Sequence, residues 1–539
     1  MFKAWFRETF IELAMELRWS YLPPLMVYLA AGISGLTAIV GTFFVKDYLG
    51  LSAAFLAGLT FWAGIPWALK MPIGHLVDLI WRWKAVLVYL GALLIAASIL
   101  VMYGLIAHTQ AMAGVMAIEA WYVLSVLLAP TGYVLQDVVA DAMTVEAVPL
   151  ADDHGRPFDD ARIKAMHTTM QTLGRFAIIS GLVAVAALNI VFFADVERMS
   201  EADKVRVYAE IYLMALAIPA LSVVGVILGG ATTRVRARRL RRQGLSAEEI
   251  ERLMPGLAGT AEPNWWILGG SLAFAAFVLT LGLSDLPFSQ EVIFAGSLGI
   301  VLFLMQRLLK ELDATVRRAL VGTAIIVFVF RAVPLPGPGA TWFEIDLLGF
   351  DQRFLSVLYL ISSGLALAGM VVLRPLMASR SLAYIVGLLT VAAGILSLPN
   401  IGLYYGLQEW TAPLTGGIVD ARFIAIIDTA IESPLGQVAM IPMLAWIAKN
   451  APAHLKATFF AVMASFTNLA LSASSLGTKY VNLIFTVTRE VRDRTTGALT
   501  TPADYGELGW LLIGVALVTF LAPLLAIWLV QASPFRTRQ

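Results

Sequence analysis

The stretch QDVVADAMTVE, residues 136–146, sets three carboxylates inside an apolar segment that runs from about Met112 to Pro149. Read as one membrane-spanning helix, it places Asp137 and Asp141 four residues apart and therefore on one face. A charge at the bilayer centre costs roughly 2.5–3.5 kcal/mol on insertion scales, so that face is expected to meet protein or water rather than lipid. A second pair, Asp428 and Glu432, has the same spacing in another apolar segment far along the chain. Two acidic helices at matching places suggest a polar path between two halves, which points to transport.

The composition agrees. Of 539 residues, 59% are hydrophobic and 14% are charged, with a mean hydropathy of +0.80. Soluble domains are about a quarter charged, so this is the make-up of a polytopic membrane protein. There is no cysteine, which excludes disulfides and thiol chemistry, and the five histidines show no metal-ligand spacing. Neither a metal nor an organic cofactor is expected. HExxH, GxSxG and Walker patterns are missing, so an enzyme is the weaker class.

Spanning helices need about 20 apolar residues. Such runs fall at 22–45, 53–73, 83–107, 115–147, 165–193, 207–230, 265–284, 290–309, 319–335, 353–373, 382–406, 421–447, 456–486 and 508–531. Arginine and lysine concentrate in the loops that lie inside if the N-terminus is cytoplasmic, which predicts both termini inside an inner (plasma) membrane. The run Arg234, Arg236, Arg238, Arg239, Arg241 and Arg242 is most simply a topology anchor; binding anionic lipid or nucleic acid is the weaker alternative. At helical spacing Phe2, Phe6, Phe10, Leu13 and Leu17 share one face, which predicts an amphipathic N-terminal helix on the membrane surface (residues 1–21) or, equally, a cytosolic extension of the first span.

An internal repeat orders these spans. FFVKDYLGLSAAFL (43–56) aligns with WFEIDLLGFDQRFL (342–355) at an offset of 299, with six of fourteen positions identical, and the acidic pairs recur at an offset of 291. Parallel six-helix halves with a site between them are the plan of major-facilitator transporters. The expected fold is all-α: two six-helix bundles, 22–230 and 319–539, related by a pseudo-twofold. A basic linker (231–264) and an inserted two-helix hairpin (265–318) make about fourteen spans, and the hairpin is expected to pack against the bundle edge.

The candidate residues follow. Asp137, Asp141, Asp428 and Glu432 are candidates for proton coupling, because a partly desolvated carboxylate can load and release protons near neutral pH. Salt-bridging an inner gate is the structural alternative, and sodium is the alternative ion. Arg175 and Arg331 lie deep in their spans and suit a carboxylate-bearing substrate, or else pair with the acids. Lys70, near a helix end, is expected to snorkel. Gln136, Gln437 and Asn468 are candidate cavity-lining groups, although such residues often only bond helix to helix. Gly74 and Asp78, with Arg82 and Lys84, form a G-x-x-x-D-plus-basic pattern after helix 2 that resembles the major-facilitator gate loop.

The segments FFVKDYLGLS (43–52), IPWALKMPIGHLVD (65–78), DVVADAMTVE (137–146), FRAVP (330–334) and LGF (348–350) are familiar together. So are Asp428, ESPLGQVAMIPML (432–444) and KATFFAVMASFTNL (456–469). In these the chain resembles the folate–biopterin transporter family of the major facilitator superfamily. The Gln136-Asp137-x-x-x-Asp141 pattern also resembles muropeptide permeases and their acetyl-CoA transporter relatives. The first resemblance implies proton-coupled movement of a small organic solute, a pterin, a folate or another organic anion, by a protein expected to be monomeric. Its partners are then the substrate, a proton and the bilayer, not nucleic acid. A muropeptide-type permease is the alternative, as is an enzyme or receptor on a transporter fold. The inserted hairpin departs from the family's twelve helices.

Overall fold

The computed structural model describes the chain except residues 1–17, 49–50, 69, 153–155, 196–197, 255–264, 283–285, 311–312, 373–379, 433–455, 493–498 and 538–539. The amphipathic N-terminal segment and Gln437 therefore lie outside the described residues, as do the side chains of Asp78, Arg82 and Glu432. The chain is helical almost throughout. In the first half run α1 (Leu22–Ile33), α2 (Ala38–Tyr48), α3 (Ala53–Ala68), α4 (Lys70–Leu79) and α5 (Ala85–Ala107). These are followed by α6 (Ile118–Ala147), α7 (Asp160–Phe192), α8 (Glu201–Ala215), α9 (Ala217–Arg242) and the short α10 (Ala247–Leu253). Next come α11 (Trp265–Gly282) and α12 (Ser289–Leu309). The second half holds α13 (Ala314–Arg331), α14 (Pro338–Asp346), α15 (Gln352–Val372), α16 (Leu382–Tyr404), α17 (Ala421–Glu432) and α18 (Lys456–Ile484). A two-stranded antiparallel ribbon, β1 (Val491–Arg492) and β2 (Leu499–Thr501), precedes α19 (Leu508–Ala532). Among the described residues nine helices are long and apolar enough to cross a membrane, and Ala53–Trp67 is a shorter apolar helix beside them.

Helices of one half pack chiefly on each other: α5 on α6, α1 on α7 and α9, and, in the second half, α16 and α13 on α19. Between the halves α3 meets α18 and α7 meets α15. In lipid no hydrophobic force drives helices together, so close packing at small residues matters most. Gly32 of α1 lies against Gly181 and the Ile178 carbonyl of α7, and a Cβ on Gly32 would stand 2.2 Å from that oxygen. Gly91 of α5 faces Gly132 of α6 in the same way.

The apolar run at 319–335 is expected as one span, but the helix it belongs to is longer and broken. Pro334, Pro336 and Gly337 stop α13, and α14 resumes from Gly337, whose φ of 81° is open to glycine at little cost. A break inside a membrane leaves backbone groups without helix partners. Here α18 supplies them: Ser474 Oγ donates to the Val333 carbonyl (2.6 Å), the Leu335 N–H donates to Thr478 Oγ1 (2.9 Å), and Asn482 Nδ2 donates to the Pro336 carbonyl (3.1 Å).

The two repeat segments meet at one end of the molecule. Phe43, Phe44 and Leu56 share a buried cluster with Trp342, Phe343, Phe350, Phe354 and Leu355, and with Leu508 and Leu511 of α19. Gln352 Nε2 donates to Tyr208 Oη (2.6 Å) and Arg353 Nη1 to the Ala194 carbonyl (3.2 Å), both across the halves. Arg489, buried beside the ribbon, lies 5.2 Å from the Trp342 ring centre. This end is sealed.

Replacing Gly32 with valine is expected to cost about 1–3 kcal/mol, the usual penalty of overpacking, because the facing atom is backbone and cannot turn away. Gly230→Ala, whose Cβ would meet nothing within 4 Å, should leave stability unchanged or slightly raised. Thermal unfolding of both variants in detergent checks the pair.

Candidate functional site

Pro66 lies inside α3, and Lys70, at the start of α4, reaches α6. Its Nζ sits 2.6 Å from Asp137 Oδ2 and 2.8 Å from Asp141 Oδ2, so one ammonium bridges the two carboxylates that share a helix face. Tyr28 Oη of α1 donates to Asp141 Oδ1 at 2.6 Å. Side-chain exposure is 23% for Lys70, 18% for Asp137 and 47% for Asp141, so the group grades from packed protein into open space. The snorkelling expected of Lys70 is thus corrected: its charge is held inward, because two acids at helical spacing offer more than the interface does.

Beside this group lies a cavity of about 120 Å³ walled by Val27, Ala31, Ser34, Trp67, Tyr133 and Ala140, with Tyr28, Gln136 and Asp137. A pocket that encloses a drug-sized ligand measures roughly 300–1,000 Å³, so this chamber has room for water or one functional group of a solute. Arg175 of α7 is exposed, and it is near enough to Asp137 and Tyr28 to act on both electrostatically. Lys70, Arg175, Asp137 and Asp141 together carry zero net charge.

Other candidates are placed differently. Gln136 is 3% exposed; its amide donates to the Val88 carbonyl (3.4 Å) and its oxygen accepts from Ser222 (2.9 Å), which ties α6 to α5 and α9. Asn468 Nδ2 of α18 donates to the Trp67 carbonyl (3.1 Å), one residue past Pro66 of α3, and so stitches one half to the other. Lys84 pairs with Glu146 at the end of α6, donates to the Trp81 carbonyl (3.1 Å) and lies over the Trp81 ring, all within the first half. A Cβ on Gly74 would stand 4.0 Å from the Val138 side chain.

The second half forms a separate group. Asp428 of α17 is 7% exposed and accepts from Asn400 Nδ2 of α16 at 3.0 Å. Glu344 of α14 is close enough to Asp428 and Tyr359 to act on each electrostatically. Arg331 is half-buried at the last turn of α13. Of the acids expected at one path, Asp137 and Asp141 gather around Lys70 and Asp428 stands by Asn400, while the side chain of Glu432 lies outside the described residues. Sequence reading passed over Tyr28 and Glu344. Tyr28 carries no signal, since a tyrosine in an apolar span reads as ordinary packing. Glu344 does carry one, since it stands at the repeat position of Val45, an acid in place of an apolar residue.

Removing the bridging ammonium leaves two carboxylates side by side. Lys70→Met is expected to lose about 2 kcal/mol, below the 3–5 of a fully buried pair because all three side chains keep some water. Adding Asp137→Asn should restore part of that loss, and denaturant unfolding of the single and double variants measures it.

Residues 165–537 match the model of the BT1 family. A folate-biopterin transporter of Synechocystis sp. (strain PCC 6803) is 21% identical over 457 residues, covering 84% of this chain and 72% of that one. Among solved structures, a POT family transporter in complex with 5-aminolevulinic acid superposes with a TM-score of 0.61 at 16% identity, covering 96% of each chain. A nucleoside transporter superposes at 0.53 and 11% identity, over 95% of this chain and 99% of its own. At such identities the structural likeness speaks for the fold alone, and the fold is that of the major-facilitator type. With more than half of its length matched, this multi-pass membrane transporter belongs to the BT1 family.

Proposed function

We propose that the protein moves a small organic anion, of the folate or pterin kind, across the inner membrane by alternating access, coupled to protons, with both termini in the cytoplasm. The observation that supports this reading best is the Lys70 bridge between Asp137 and Asp141 beside an exposed Arg175. Two cations and two carboxylates sum to zero. A proton on either aspartate makes the group +1 and loosens one of the two holds on Lys70. The freed ammonium, with the Arg175 guanidinium, then suits a carboxylate on the solute. Proton and anion therefore favour each other's binding, which is the reciprocal linkage that symport requires. Trp67, Tyr133 and Tyr28 line the chamber, and their rings would suit a flat solute only in a state where the chamber is wider. The family relative from Synechocystis, named for folate and biopterin, supports the same substrate class.

In this reading Asp428 and Glu432 serve the second half, with Arg331 beside the break in its first helix. The domain limits remain those read from the repeat: 22–230 and 319–539 as the moving halves, joined by 231–264 and 265–318.

Asp137→Asn is expected to abolish proton-driven accumulation while the folded protein still reaches the membrane, and Asp428→Asn likewise. Arg175→Ala should raise KM about tenfold or more, as loss of a charge-assisted hydrogen bond does. The measurement is uptake by proteoliposomes under an imposed pH gradient, with solutes chosen by a thermal-shift screen of folates, pterins, muropeptides and other organic anions. Wild-type accumulation by both aspartate variants would sink the coupling assignment.

A further inference from the structure

The hairpin of α11 and α12 stands outside the repeat, and it does more than cover a bundle edge. The first turn of α12 is held by the second half: Lys479 Nζ of α18 lies 2.9 Å from Glu291 Oε1 and 3.0 Å from Gln290 Oε1, and Tyr480 Oη donates to Glu291 Oε1 at 2.6 Å. The same Gln290 reaches the first half, where its Nε2 donates to the Gly58 carbonyl of α3 at 3.3 Å. Gly58 has no side chain to keep it away; a Cβ there would stand 3.2 Å from that nitrogen. Below this contact Phe61 and Ile65 of α3, Leu476 of α18, and Ile293, Phe277 and Leu281 of the hairpin form one apolar cluster. Three bodies interlock at the sealed end.

The two grips differ in kind. Toward α18 the hairpin is tied by an ion pair with a tyrosine on the same carboxylate, and charge-assisted bonds are about twice as strong as neutral ones. Toward α3 it has one neutral hydrogen bond at 3.3 Å and apolar contact. Any motion that parts α3 from α18 at this end breaks the weaker grip first. We propose that the α11–α12 hairpin is a latch carried by the second half, gripping Gly58 while the sealed end is closed and releasing it when that end opens. This rests on the alternating-access reading above.

The chain has no cysteine of its own, so Ala31→Cys in the chamber wall is a single reporter. Full-length protein in oriented vesicles is treated from each face with a membrane-impermeant thiosulfonate. The labelling rate from the sealed face is proportional to the fraction open there. Gln290→Ala is expected to raise that rate about fivefold, the population change that follows loss of one neutral hydrogen bond. Gly58→Ala, which pushes the amide from the other side, should raise it too, and the double variant should be no faster than the faster single one. A measurable rate that both single variants leave unchanged, or effects that multiply in the double variant, would overturn the latch alone. No labelling from the sealed face in any variant would overturn the latch and the alternating-access reading together.

Discussion

One lysine between two aspartates governs the first half of this molecule. Ionised groups are costly in hydrocarbon, and α6 carries Asp137 and Asp141 on a single face within a span. Without a counter-charge those carboxylates would repel each other at one helical turn. Lys70 supplies the charge, and Tyr28 completes the hydrogen bonds of Asp141. The same stretch is tied across the molecule, where Asn468 donates to the Trp67 carbonyl one residue past Pro66. The charge group is thereby wired to the seam between the halves, where any rocking motion must act.

The other end is built on the opposite principle. Aromatic residues from the two repeat segments fill the space between the halves, and polar side chains there mostly reach backbone or one another. A packed, dry end and a charged, partly wetted region in one molecule make two different barriers to a solute. Packed contacts are bistable rather than elastic, so the proposed alternation would open the aromatic end as a unit. The charged region, in contrast, would rearrange one ion pair at a time.

Periodicity and length made the fold legible: apolar runs of spanning length, their charge-flanked loops, and a repeat at an offset of 299 carried the two-bundle plan. The break between α13 and α14 escaped because a run ending at Arg331–Pro336 looks like a finished span. Only the polar face of α18, with Ser474, Thr478 and Asn482, makes its continuation affordable. The acids were found because charge in an apolar run is conspicuous. Their partners were not, since a lysine at a helix end reads equally as a snorkelling anchor, and tyrosine in a span has no polarity signature. Gln136 and Asn468 stood out as polar, yet polarity does not say whether a side chain faces the cavity or a neighbouring helix. Packing decides that.

The repeat itself shows how the halves came to differ. At the offset that aligns the two segments, Lys70 corresponds to Gly369 on α15, and at the offset of the acidic pairs it corresponds to Ile361. Neither supplies a cation. In the second half Asp428 accepts a hydrogen bond from the Asn400 amide, and Glu344 stands where the first half has Val45. Two halves of common plan therefore set their acids among different neighbours, a lysine ammonium between two carboxylates in one, an asparagine amide with a second acid nearby in the other. Packing, not the repeat, decides which neighbour each acid meets.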